Sequence, residues 1–156
     1  MNYWRNMIAK LQTTPRNWLT LDGCARIFKN FKKTLEHLGE PIPPIETRFP
    51  GKFESILDSV RQTFGGQLLN PTVLDASAAY FNQLIRGHPF RNGNKRLAVL
   101  FTHYFLLAHN VDYGLSYNEM FYFAVTVAKA GEQGISGEKT RDWCKTIIAR
   151  FTEEKK

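Results

Sequence analysis

The sequence predicts an all-α fold, a bundle of six or seven helices with at most a short hairpin of β-structure. Three observations lead there. Apolar residues recur at spacings of three and four along most of the 156-residue chain. Glycines and a proline-rich segment punctuate these periodic stretches. One run, 97–108, is apolar almost all round, as a helix in the middle of a bundle must be.

Taken in order, Leu21, Ala25, Phe28, Phe31, Leu35 and Leu38 form one face of a helix that stops at Gly39. Lys29, Lys32 and Lys33 fall outside that face and read as solvated surface rather than as a nucleic-acid groove. The segment 40–51 carries four prolines, which fix φ and remove donors, so it is expected to run as an extended connection, hairpin or flap. Phe53, Ile56, Leu57, Val60 and Phe64 make the next helical stripe, ended by Gly65-Gly66. Asn70 is expected to cap a helix whose first residue is Pro71. Val73, Leu74, Ser77, Ala78, Phe81, Leu84 and Ile85 would be its buried face and Gly87 its C-terminal cap. Ser116 and Glu119 have capping-box spacing and should open a helix through Phe121, Ala124, Val125 and Ala128 to about Gly131. A last helix, about 138–151, is expected to pack Trp143, Ile147 and Phe151.

Composition places the chain among ordinary globular domains, with 43% hydrophobic and 22% charged residues. One domain over 1–156 is expected, with a helical extension at 1–40, a proline-rich connection or flap at 41–52 and a core at 53–152. The formal charge of +7 favours acidic partners and serves solubility equally well. Cys24 and Cys144 lack metal-ligand spacing and form no disulfide framework, which points to a reducing, cytoplasmic setting. The first residues, Met1 to Asn6, have no signal-peptide core, and no stretch approaches the roughly 20 apolar residues of a membrane span.

The most informative residues are His88-Pro89-Phe90-Arg91-Asn92-Gly93-Asn94-Lys95-Arg96. His88 can accept a proton near neutral pH. Gly93 allows close backbone approach, and it leads into the N-terminus of the apolar 97–108 helix, where unpaired amides and the helix dipole favour an anion. Asn94 can donate to a phosphate oxygen from its side chain, and Lys95 and Arg96 add charge. Pro89 stiffens the loop, and Phe90 is expected to anchor it by burying its ring. An isolated histidine after a helix cap would be ordinary surface. Joined to an anion clamp, it becomes a candidate general base for phosphoryl chemistry.

These residues resemble the signature of the Fic/Doc family, His-x-Phe-x-Asp/Glu-Gly-Asn-Gly-Arg with a second arginine three residues on. Lys95 in place of the second glycine and Val99 at the second-arginine position match the death-on-curing, Doc-like branch. The resemblance runs from about Arg48 to Phe151, roughly two-thirds of the chain. It implies a Fic-type bundle of six to eight helices with a short β-hairpin flap, and a transferase that moves AMP, or in Doc-like members the terminal phosphate, from ATP to a protein hydroxyl. His88 would then be the base. Gly93, Asn94, Lys95 and Arg96 would bind nucleotide phosphates, and a flap that includes Arg48, Phe49 and Lys52 would position the target.

The resemblance further implies ATP and Mg²⁺, a target bearing a Ser, Thr or Tyr hydroxyl such as a translation factor, and a separate antitoxin if the chain is the toxin of a toxin–antitoxin pair. Nucleic acid and membrane are not expected partners. The departure is Asn92, which stands where the family has Asp or Glu for magnesium. An amide oxygen brings no charge, and hard cations favour carboxylates. The alternative reading is therefore a weakened or silent Fic-like module that binds nucleotide or protein.

Overall fold

A computed structural model describes residues 9–37, 45–112 and 114–154. Residues 9–11 are helical. Six longer helices follow: α1 (Leu21–His37), α2 (Lys52–Val60), α3 (Val73–Gly87), α4 (Asn94–Ala108), α5 (Tyr117–Glu132) and α6 (Gly137–Glu154). A two-stranded antiparallel sheet, β1 (Thr63–Phe64) and β2 (Gln67–Leu68), lies between α2 and α3. The all-α expectation holds. Leu38, Gly39, the prolines at 41, 43 and 44, and the first eight residues lie outside the described residues.

Helix α3 is the centre of the bundle, packed against α2, α4, α5 and α6. Its composition allows this, because Ala76, Ser77, Ala78 and Ala79 let neighbours approach while Tyr80 and Phe81 fill the space between them, all fully or almost fully buried. Tyr80 keeps its hydroxyl satisfied by accepting a hydrogen bond from the Leu19 amide at 3.0 Å. Helix α4 is buried from Leu97 to Thr102, as its all-round apolarity requires. His109, just past its end, ties down the N-terminal segment. Its Nε2 accepts from the amides of Arg16 and Asn17 at 3.0 and 3.2 Å, and its Nδ1 lies 2.8 Å from the Phe105 carbonyl.

Three local expectations need correction. Helix α3 begins at Val73 rather than Pro71, and its N-cap is Thr72, whose Oγ1 accepts from the Asp75 amide at 3.0 Å. Asn70 is buried and donates instead to the Val60 carbonyl at 2.9 Å, one of the orphaned carbonyls at the end of α2. Phe64 belongs to no helical stripe. Gly65 and Gly66 adopt φ of 59° and 79°, both left-handed, which reverses the chain in a two-residue hairpin turn and leaves Phe64 80% exposed.

The third correction concerns α6. Its buried positions are Thr140, Cys144, Ile148 and Thr152, one residue round from Trp143, Ile147 and Phe151, which are half-buried. Two threonines on the inner face disguised it. Thr140 donates to Asn82 Oδ1 at 2.7 Å, and Thr152 donates to the Ile148 carbonyl at 2.8 Å, so neither hydroxyl is buried unpaired. By contrast the capping box of α5 is present in both directions between Ser116 and Glu119. Among the described residues no helix is long and apolar enough to cross a membrane. The register of α6 is testable: Ile148→Ala should cost about 2–4 kcal/mol in urea denaturation, whereas Ile147→Ala should cost less than about 1 kcal/mol. Equal costs would contradict the inner face described.

Candidate functional site

The motif lies on the loop between α3 and α4, and the end of α3 explains its shape. Gly87 was expected to be the left-handed cap, yet it remains helical. A side-chain carbon on Gly87 would lie 2.8 Å from Ile56 Cδ1, so the glycine serves the close approach of α2. The left-handed turn passes to His88, with φ 50° and ψ 51°. That conformation is uncommon outside glycine and costs of order 1 kcal/mol. It turns the imidazole out of the helix line into an exposed position.

The loop is then clamped from three sides. Phe90 is fully buried, with its ring centroid 4.8 Å from that of Phe53 and 6.4 Å from that of Phe101. Its main chain is held by Asn94, whose Oδ1 accepts from the Phe90 amide and whose Nδ2 donates to the Phe90 carbonyl, both at 2.9 Å. On the opposite edge Thr47 and Phe90 form an antiparallel bridge. There the Arg48 amide donates to the Pro89 carbonyl and the Arg91 amide to the Glu46 carbonyl, each at 2.8 Å. The flap expected near 41–52 is therefore, over its described residues, a single strand-like segment laid along the motif. The one described hairpin is at 63–68.

Helix α4 opens at Gly93, in the left-handed region with φ 76°, and has no side-chain cap and no acidic residue in its first turn. The space where a Gly93 side chain would project is open. The first amides of α4 have no side-chain cap, and Lys95 and Arg96 stand in the same first turn, a local sequence that suits a phosphate oxygen cluster. The Asn94 side chain is not free to contact such a cluster, since both of its polar atoms are engaged by Phe90. Asn94 contributes to the cradle through its position at the helix start. Asn92 is exposed, and no cluster of three His, Cys, Asp or Glu suited to a metal occurs among the described residues. Both cysteines are buried and burial pushes each thiol up to about 12, which keeps them protonated and out of the chemistry.

His88 is tuned by its surroundings. Partial desolvation, then the nearby Arg48 and Lys95 charges, hold its pKa below the ordinary histidine value, so the neutral ring is favoured. Arg48 Nη1 lies 2.7 Å from His88 Nδ1. A guanidinium can only donate, so Nδ1 accepts and the single ring proton sits on Nε2. In this arrangement the Nδ1 lone pair is covered by Arg48.

The remaining flap residues are divided. The Arg48 guanidinium also sits 5.4 Å above the ring of Phe49, which is 55% exposed, while Lys52 is the first residue of α2. The structure thus brings Arg48, His88 and Lys95 together and leaves Phe49 on the surface. Arg86 and Glu132 also line a cavity beside His88 and Lys95. Sequence reading passed over both, because each looks like an ordinary charge in the last turn of a helix.

A histidine on a strained loop thus leads into an uncapped helix N-terminus inside a helical bundle. The model of the Fic/DOC family matches residues 19–106, more than half of the chain, and the chain belongs to that family. Comparison with curated proteins and with solved structures finds no match.

Two predictions follow from the clamp and from the histidine contact. Asn94→Ala should destabilise the fold by about 2–4 kcal/mol in chemical denaturation, since it leaves two buried main-chain groups of Phe90 unpaired. Arg48→Ala should raise the His88 pKa, read by NMR titration of the ring protons. The folded-state value lies below the unfolded one. As pH falls through the ordinary histidine range of about 6.5, the unfolded chain therefore binds the proton first and folding loses this contribution. Arg48→Ala should reduce that loss, and an unmoved titration would show that Arg48 does not set the shift.

Proposed function

We propose that this chain is a protein-modifying transferase that moves AMP, or the terminal phosphate of ATP, to a Ser, Thr or Tyr hydroxyl of a target protein. The observation that carries the reading is the single loop that places a neutral-favoured histidine next to an uncapped helix N-terminus with Lys95 and Arg96. Family membership supports the class of reaction, transfer of nucleotide-derived groups to proteins. The amides at Gly93, Asn94 and Lys95 and the Arg96 guanidinium would hold nucleotide phosphates, and His88 would take the proton of the hydroxyl as it attacks phosphorus, with pyrophosphate leaving in AMP transfer or ADP in phosphate transfer. Mg²⁺ would neutralise phosphate charge, with the Asn92 amide oxygen as its only nearby motif ligand and the phosphates supplying the rest.

For His88 to act as a base, its lone pair must be free. Arg48 must therefore withdraw, and the exposed segment 46–49 gives it the means. Main-chain pairing to the loop fixes the backbone of this segment while leaving the arginine side chain to swing. A target segment engaging Arg48 or Phe49 would release the histidine as it arrives. A cytoplasmic setting, a translation-factor target and a separate antitoxin fit this reading. The second reading, a weakened or silent Fic-like binding module, rests on Asn92, which is neutral where a metal site calls for charge.

Incubation of the chain with cell lysate and ATP labelled in parallel at the α- or γ-phosphate tests the proposal. Label transferred from the α position indicates AMP transfer, label from γ indicates phosphate transfer, and label from neither favours the silent module. His88→Ala should abolish labelling, and persistence at the wild-type rate would remove His88 as the base. His88→Gly should also abolish it, yet be more stable than His88→Ala by about 1 kcal/mol because it relieves the left-handed strain. Because its pKa is lowered, the acid limb of the rate profile should lie below the usual histidine value and move up in Arg48→Ala. Asn92→Asp should raise labelling at limiting Mg²⁺.

A further inference from the structure

Arg86 occupies a position that the transfer chemistry described above does not use. It lies in the last turn of α3, and its side chain runs between the end of α5 and the start of α6. A side-chain carbon on Gly131 would fall 3.1 Å from its Nη1, and one on Gly137 would fall 3.5 Å from its Nε. Two glycines thus leave a slot the width of the guanidinium. Nη1 is fully buried there and has no hydrogen-bond partner.

A charged donor buried without a partner is costly, and native structures pair almost all such groups. The carboxyl ends of α3 and α5 temper the charge through their dipoles, but neither provides Nη1 with an acceptor. Arg86 borders a cavity of about 350 Å³ whose other charged and titratable lining groups are His88, Lys95 and Glu132. Glu132 is exposed and forms no ion pair with Arg86 or Lys95 among the described residues. Two cations, Arg86 and Lys95, and one carboxylate therefore line the same cavity. Lys95 joins this cavity to the helix start, since its backbone belongs to the first turn of α4 and its side chain lines the cavity wall.

We propose that this cavity is a second phosphate subsite, in which the Arg86 guanidinium binds a phosphate group adjoining the one on the helix N-terminus. The ligand chemistry is that of a phosphate or pyrophosphate oxygen cluster, which accepts from a planar guanidinium in fork geometry and from an ammonium at once. Its source is the distal phosphate of a bound nucleotide, and in this the inference rests on the nucleotide-transfer reading. The alternative source is a free inorganic phosphate. Arg86 is then a substrate-binding residue supplied by α3, outside the stretch His88 to Arg96.

The test is calorimetric titration of the full chain with ATP, AMP and inorganic pyrophosphate, comparing wild type with Arg86→Gln, Arg86→Met and Glu132→Gln, alongside thermal unfolding. ATP and pyrophosphate should bind at least tenfold more weakly to both Arg86 variants, with AMP affinity unchanged. The unfolding temperature of those variants should not fall, because an unpaired buried charge has been removed. Glu132→Gln should bind ATP more tightly, and this variant decides the matter if the Arg86 variants do not fold. ATP binding that is indifferent to Arg86 overturns the subsite and leaves the nucleotide reading standing. Equal loss of ATP and AMP with a lower unfolding temperature makes Arg86 a packing residue and also overturns it, as does Glu132→Gln binding ATP no more tightly than wild type. Pyrophosphate binding that needs Arg86 in a chain that binds no nucleotide upholds the subsite and removes the nucleotide as its source. Binding of neither anion overturns both.

Discussion

The site depends on two hydrogen bonds, those between the Asn94 amide and the main chain of Phe90. One side chain imitates a neighbouring strand, offering an acceptor and a donor to a residue whose own ladder partners are absent on that side. The opposite edge of the loop is then free to pair with residues 46–48 through the amides of Arg48 and Arg91. Because Asn94 is also the first residue of α4, loop and helix N-terminus cannot move independently. The buried Phe90 ring extends the same constraint to α2 and α4 through Phe53 and Phe101. Few residue types could replace it. Aspartate has the shape but presents only acceptors and would bring negative charge to the place where the proposed anion would bind.

On the proposed reading this rigidity serves electrostatics. A phosphate cradle made of backbone amides works only if the amides already point inward, since reorienting them on binding would consume the gain. The loop is held by groups that do not touch the cradle: an aromatic ring, a carboxamide and a strand-like segment. Lys95 and Arg96 are left to supply charge. Partial desolvation, then Arg48 and Lys95, hold His88 toward its neutral form, so Lys95, which on the proposed reading attracts phosphate, also disfavours protonation of the imidazole. On the proposed reading, a polyanion at the helix N-terminus would partly cancel the effect of Lys95 on the imidazole and raise its proton affinity.

Much of this could be read from the sequence where one residue type has one physical use. The motif loop, the buried α4, the α5 capping box and the ring of Phe90 were legible because apolar periodicity, a Ser-x-x-Glu pair and a glycine before an apolar run each have few structural meanings. The inner face of α6 was misplaced by one residue because Thr140 and Thr152 are polar by type and buried by partnership. Asn94 was read as a phosphate ligand, since nothing local shows that the main chain of Phe90 needs its amide. Phe64 followed the helical rhythm but belonged to a turn in which two left-handed glycines prevail over periodicity. Arg86 was invisible for a different reason. Its slot is made by Gly131 and Gly137, more than 40 residues away, and a contact of that separation leaves no trace in a single sequence.

The displaced cap at the end of α3 shows how packing and chemistry became linked. Glycine would ordinarily take the left-handed position after a helix. Here Ile56 presses against Gly87 and holds it in the helix, so the left-handed position falls one residue later, on the histidine. The strain directs the imidazole toward Arg48 and Lys95 rather than along the helix axis, and it limits the ways in which the ring can relax. Beyond the backbone, the ring proton can exchange between Nδ1 and Nε2. Arg48 sets that exchange by covering Nδ1. On the proposed reading, a histidine whose backbone is set by packing and whose tautomer is set by a removable surface arginine could be held inactive without any change of fold.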